Sequence, residues 1–126
     1  MSNPEQVLYF RLVEALPDNI VIAQTQMSSF LKLAGKQKHW LILSSRIRQK
    51  STDFLILGKD TTPLAAIELQ DSTHNKPERM KSDEFKRKAL TAAKIPLFEY
   101  HVNNMPPVET LRQQITSLEN PANDER

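Results

Sequence analysis

The sequence predicts an α/β domain with helices on both faces of a small, mainly four-stranded mixed sheet. Three observations carry that prediction. Hydrophobic spacing alternates between the helical and the strand period along the chain, giving the order helix, strand, strand, strand, helix, strand, helix. The two segments Asp53–Leu57 and Leu64–Gln70 are apolar on both faces, with Phe54 and Ile56 on one side of the first and Leu55 and Leu57 on the other. Strands of that kind are central and covered on both sides. A chain of 126 residues with 39% hydrophobic content has room for one core and not two. A single domain is therefore expected over residues 1–118, followed by a flexible tail over 119–126.

The first element is a helix with Asn3 as N-cap, Pro4 at the first helical position and Gln6 three residues after the cap. Leu8, Leu12 and Leu16 form its apolar stripe, with Tyr9 and Val13 beside them, and Pro17 ends it. The β-branched run Ile20–Gln26 is a strand. Ser28 can cap a short helix through Leu33, broken at Gly35. Residues 36–50 carry no decisive period: His39–Leu43 fits a strand, a helical turn or a packed loop. A β-hairpin follows, with Asp53–Leu57 and Leu64–Gln70 as arms and Lys59–Thr62 at the tip. Pro77 opens a second long helix to about Lys94, Pro96–Val102 is a fourth strand, and Pro107–Leu118 is a final amphipathic helix.

Composition excludes several classes of function. With no cysteine there is no disulfide framework, thiolate zinc site or cysteine nucleophile. No apolar run approaches the ~20 residues of a membrane span, and no signal-peptide pattern opens the chain, so no membrane partner and a cytoplasmic location are expected. The formal charge is +2, but its distribution is uneven. No acidic residue lies between Asp18 and Asp53, a gap that holds Lys32, Lys36, Lys38, Arg46, Arg48 and Lys50. Basic stretches flanking a carboxylate centre suit a polyanion such as nucleic acid; charge alone favours the other reading, the solvated faces of an ordinary soluble protein.

The carboxylate centre is in the hairpin. A symmetric turn sets Leu57 against Leu64 and Asp53 against Glu68, and the period of two puts Asp53, Glu68 and Gln70 on one face. Opposed side chains in an antiparallel pair are about 5 Å apart at Cβ, and like charges there repel. A divalent cation between the two carboxylates accounts for such a pair, so the hairpin is a candidate metal site.

These residues carry a resemblance. The order of elements, with an acidic residue opening the second strand and Glu-x-Gln closing the third, resembles the PD-(D/E)xK restriction-endonuclease-like superfamily, in the branch near very-short-patch repair endonucleases. The chain is most similar there to the bacterial domain of unknown function 2726 family. The likeness runs over roughly residues 4–102: Glu5, Tyr9 and Leu12 in the first helix, Lys50, Asp53 and Phe54 in the second strand, and the octapeptide Ile67–His74. Arg79, Asp83, Ala92, Ala93 and Ile95-Pro96-Leu97 continue it. The octapeptide is its most specific part. Thr52 replaces the usual Pro, Gln70 stands where the superfamily usually has Lys, Glu99 where many relatives have Arg, and Lys94 replaces a Gly.

The resemblance implies a restriction-endonuclease-like core and metal-assisted hydrolysis of phosphodiester bonds, in DNA ahead of RNA. Asp53, Glu68 and the Leu69 carbonyl are the implied ligands of Mg²⁺ or Mn²⁺. Gln70 can orient the attacking water, and Lys50 can supply the charge that Gln70 lacks, or is a solvated lysine. His74 can act as general base or phosphate ligand, or make a local hydrogen bond at a helix start. Glu5 can add a carboxylate, or favour a helix N-terminus; Asp71 is a ligand or a turn residue. Arg46, Arg48, Lys50 and Arg79 are the candidate nucleic-acid contacts. Arg79, Asp83 and Arg87 fit an exposed ion-pair ladder, and Trp40 fits the core. A module of the same fold that binds nucleic acid without cutting it, and a small α/β protein-interaction domain, remain the alternatives.

Overall fold

The structure is a computed structural model that describes residues 1–31, 49–71 and 77–119, for 77–82 the backbone alone. Helix α1 (Asn3–Ala15) begins one residue earlier than its sequence signals indicate. Ser2, not Asn3, is the N-cap: its hydroxyl accepts from the Glu5 N–H at 3.3 Å, and its own N–H donates to the Glu5 carboxylate at 3.0 Å. A hydroxyl followed three residues on by a carboxylate satisfies two orphan donors reciprocally, which the Asn3–Gln6 spacing does not achieve here.

Strand β1 (Ile20–Gln26) follows and closes on a single 3₁₀ turn, Met27–Ser29, where the sequence suggested a longer helix from Ser28. Then come β2 (Ser51–Leu57), β3 (Pro63–Gln70), α2 (Pro77–Ala92), β4 (Leu97–His101) and α3 (Val108–Thr116). A last 3₁₀ turn spans Ser117–Glu119. Glu119, assigned by sequence to the tail, accepts a hydrogen bond from the Asn19 side chain at 3.0 Å, because Asn19 is also fixed on the Leu57 carbonyl. The rest of that tail, the remainder of the Ser28–Leu33 helix and the His39–Leu43 segment with Trp40 lie outside the described residues.

The sheet order is β1-β2-β3-β4. The first three strands are antiparallel and β4 is parallel to β3, so the sheet is mixed. A parallel neighbour needs a crossover, and α2 lies in the connection that makes it. On one face Leu8 and Leu12 of α1 and Leu111 and Ile115 of α3 pack on Phe54, Ile56, Ala65 and Ile67. On the other, Leu90 of α2 with Met27, Leu31 and Ile95 packs on Ala66. The fold class is thus α/β, with helices on both sides of a four-stranded sheet.

Three backbone details shape the site's surroundings. At the hairpin, Leu57 pairs with Pro63 and not with Leu64, and a bulge lies between Ile56 and Leu57. The turn closes one residue short of symmetry because Gly58 donates to the Thr62 carbonyl at 2.8 Å and Thr61 to Gly58 at 2.9 Å. The bulge absorbs the difference, so Ile56 against Ala65 and Phe54 against Ile67 return to the expected register. In β1, Gln24 has φ 51°, a left-handed conformation, and the pairing with β2 skips it between Ala23–Phe54 and Thr25–Thr52. At the end of α2, Lys94 has φ 61°; its N–H bonds the Thr91 carbonyl and the Ile95 N–H that of Leu90, a Schellman closure on a non-glycine residue.

Candidate functional site

Continuing the Phe54–Ile67 register by one pair sets Asp53 against Glu68, and strand alternation turns both toward the α2 side of the sheet with Leu55, Ala66 and Gln70. The two residues are locked by reciprocal bonds. The Asp53 N–H donates to Glu68 Oε2 at 3.1 Å, and the Leu69 N–H donates to Asp53 Oδ2 at 2.7 Å. The skipped pair at Gln24 lies opposite Asp53, so this bond to Glu68 sits where the β1 ladder is interrupted.

Glu68 is only 8% exposed. Burial pushes its carboxyl up to about 7; the nearby Lys86 ammonium pulls the other way, and the Asp53 carboxylate adds to the rise. Lys86, on the inward face of α2, makes a direct ion pair with Glu68 Oε1, its own side chain 15% exposed. Two opposed carboxylates at a buried sheet end have thus drawn in a cation from the helix above, as the cost of burying unpaired charge requires.

The pair opens into a cleft of about 400 Å³. Glu5, Asp71 and Asp83 line it as further carboxylates, and Lys50 joins Lys86 as a cation. Glu5 therefore faces the same cleft as Asp53 and Glu68, reached from the start of α1. Partial burial acts to raise its pKa, but hydrogen bonds from the Ser2 backbone and hydroxyl and from the Gln24 side chain, with the N-terminal ammonium nearby, together hold it below the usual value. Its carboxylate serves the capping box while facing the cleft.

Other expectations shift. Gln70 shares the sheet face but is not among the cleft-lining residues: its amide donates to Glu99 Oε2. Glu99 is β4's partner to Glu68 in register and takes a two-pronged bond from Arg87, Nε to Oε1 and Nη2 to Oε2, both 2.7 Å. The Gln70 amide is drawn into the Arg87–Glu99 pair and away from Asp53 and Glu68. Of the Arg79–Asp83–Arg87 ladder, Asp83 is only 9% exposed and lines the cleft, and Arg87 bonds Glu99 while also feeling the charges of Asp83 and Glu84. Arg46, Arg48, His74 and the Arg79 side chain lie outside the described residues.

Sequence reasoning missed Lys86 and the inward turn of Asp83. The signal was helical phase: Asp83, Lys86 and Leu90 follow at intervals of three and four, and Leu90 is a buried core residue.

Among the described residues no group of three or more Asp, Glu, His or Cys is gathered to hold a metal ion, and no helix is long and apolar enough to cross a membrane. A hydrated hard cation asks for less, one or two carboxylates with waters and substrate oxygens. Asp53, Glu68 and the Leu69 carbonyl are the groups that could hold such an ion: a half-buried and a buried carboxylate side by side, the latter paired with Lys86, facing an open polar cleft.

Comparison with known proteins gives two matches. A protein of Haemophilus influenzae named "Uncharacterized protein" is 30% identical over 107 residues, covering 82% of this chain and 54% of its own length. The chain thus spans about half of that relative. No solved structure matches. The sequence pattern of the family described as "Protein of unknown function (DUF2726)" matches residues 1–118, so the chain belongs to the DUF2726 family.

Proposed function

We propose that the domain is a metal-dependent nuclease of restriction-endonuclease-like core, hydrolysing phosphodiester bonds in nucleic acid, DNA ahead of RNA. The observation that carries the reading is the buried Glu68 opposed to Asp53 at the mouth of an acidic cleft and paired with a lysine. Carboxylates placed this way hold a divalent cation, Mg²⁺ or Mn²⁺, through Asp53, Glu68 and the Leu69 carbonyl. When bound, that ion supplies charge to shield phosphoryl oxygens and to acidify water. The chain's own residues do the rest. The Leu69 N–H fixes one Asp53 oxygen and the Asp53 N–H fixes one Glu68 oxygen, so both carboxylates are held before any ligand arrives. Glu68 binds a cation only when ionised, so burial ties its use to pH near 7 and above.

One observation favours a second reading, a module that binds nucleic acid without cutting it: position 70 is uncharged and its amide is held by Glu99. Burial of Glu68 in a cleft weighs against the third reading, a protein-interaction domain with these carboxylates as surface charge. The deciding experiment incubates the protein with plasmid, single-stranded DNA and RNA in Mg²⁺ or Mn²⁺, beside Asp53→Ala and Glu68→Ala. Cation-dependent cleavage lost in both variants supports the nuclease. Binding without cleavage supports the module, and cleavage that survives Glu68→Ala refutes the site.

A further inference from the structure

Hydrolysis of a phosphodiester places extra negative charge on the phosphoryl oxygens as water attacks, and a site made mainly of carboxylates repels that charge. A cation belonging to the protein must stand close to the carboxylates without being free to leave. Lys86 meets the description. Its ammonium contacts Glu68 Oε1, its stem is held on α2 over the sheet, and it lines the cleft with Asp53, Leu69 and Asp83. The side chain is 15% exposed, against 76% for Lys88 two residues on, which pairs with Glu84 along the helix. Gln70 cannot provide the charge, and its amide is committed to Glu99.

We infer that Lys86 is the catalytic cation of this site, holding a non-bridging oxygen of the scissile phosphate and stabilising the charge that develops there. The inference rests on the nuclease reading above. In the reaction the water oxygen forms a bond to phosphorus and the ester P–O bond to the leaving group breaks. The water gives up a proton to solvent, and the leaving alkoxide takes one from solvent. Lys86 keeps its proton throughout and acts by charge and hydrogen bonding alone. Its contact with Glu68 would be the resting position: with Asp53 and Glu68 holding a divalent cation, the Lys86 ammonium would be free to turn to the phosphate.

The test compares wild type, Lys86→Met, Lys86→Arg and Lys88→Ala. Three readouts are used: Mn²⁺ binding by titration calorimetry, fluorescence-polarisation binding to a DNA oligonucleotide in non-catalytic Ca²⁺, and single-turnover cleavage. Circular dichroism and thermal melts establish that each variant is folded. At a pH where Glu68 is ionised in both proteins, Lys86→Met is expected to bind Mn²⁺ as well as wild type or better, since a competitor for Glu68 has gone. It is expected to lose cleavage by about 100-fold or more, the scale of removing one charge-stabilising group. Lys86→Arg, which keeps the charge, recovers part of the loss, and Lys88→Ala behaves as wild type. A folded Lys86→Met that binds Mn²⁺ and cleaves within threefold of wild type overturns the inference while the nuclease reading stands. Loss of Mn²⁺ binding together with cleavage overturns it too, by making Lys86 a support for the carboxylates. A wild-type protein inert on every substrate removes both the reading and the inference, a result recognisable without any variant.

Discussion

Glu68 should make the stability of the metal-free protein fall as pH rises through neutrality. In the unfolded chain its carboxyl ionises near 4.5; in the folded protein burial and Asp53 hold the proton on until about 7, despite Lys86. The native state binds the extra proton between those values, so this group's contribution is whole below pH 4.5 and is lost as pH rises through 7. At about 1.36 kcal/mol per pH unit, that window corresponds to about 3 kcal/mol. Other carboxylates titrate in the same experiment, so the useful quantity is the difference between wild type and Glu68→Gln. Urea unfolding in chelator from pH 4 to 8.5 should show the wild-type stability dropping by about 3 kcal/mol relative to Glu68→Gln. Lys86→Met should move the drop to higher pH, because the ammonium holds the Glu68 pKa down. Adding Mg²⁺ or Mn²⁺ at pH 8 should return about 2.7 kcal/mol at a hundredfold excess over Kd, in wild type and not in Glu68→Gln. A difference that stays flat with pH would refute the buried, proton-holding Glu68. A drop that no divalent cation reverses would leave the burial intact and refute the metal site.

Three further outcomes are expected. Lys94→Gly should stabilise the protein by about 1 kcal/mol, measured as a rise in urea midpoint, since glycine takes the left-handed Schellman position without the Cβ penalty that lysine bears. Ser2→Ala should cost about 1 kcal/mol by removing the capping hydroxyl of α1, and a change within error would mean that Asn3 takes over the cap. If nucleic acid is the ligand, neutralising Arg46, Arg48 or Lys50 should weaken binding and lower the slope of log K against log salt by about 0.9 for each duplex phosphate no longer neutralised; an unchanged slope removes that residue from the interface.

The parts of this structure that follow from a simple period were legible. That Asp53 and Glu68 share a face follows from alternation along two arms of matching parity, although their register is met only because the bulge at Ile56–Leu57 offsets the early turn, and β1 was bounded by its β-branched run and by Asn19 before it. Features set by side-chain competition were not. The turn closes early because Asp60 Oδ1 accepts from both the Thr62 N–H at 3.1 Å and its hydroxyl at 2.6 Å, which counting residues does not reveal. Ser2 outcompeted Asn3 as cap through the Glu5 carboxylate. Lys86 looked like any other lysine of a highly charged helix until its phase with Leu90 was fixed by packing. Gln70 was placed on the right face, but Arg87 and Glu99 decided where its amide went, and neither is near it in sequence.

The left-handed Gln24 also has a bearing on solubility. Among the described residues β1 is an outer strand, with Ile20 and Ile22 exposed at 48% and 36%. An open edge with exposed β-branched residues is a template on which a second chain can add, and such stacking requires a flat run of about six or seven residues. Gln24 turns the backbone out of the extended conformation after four, so the peptide groups on either side no longer form one straight row. The same distortion that interrupts the ladder beside Asp53 thereby shortens the straight run of β1 to Ile20–Ala23, below that length.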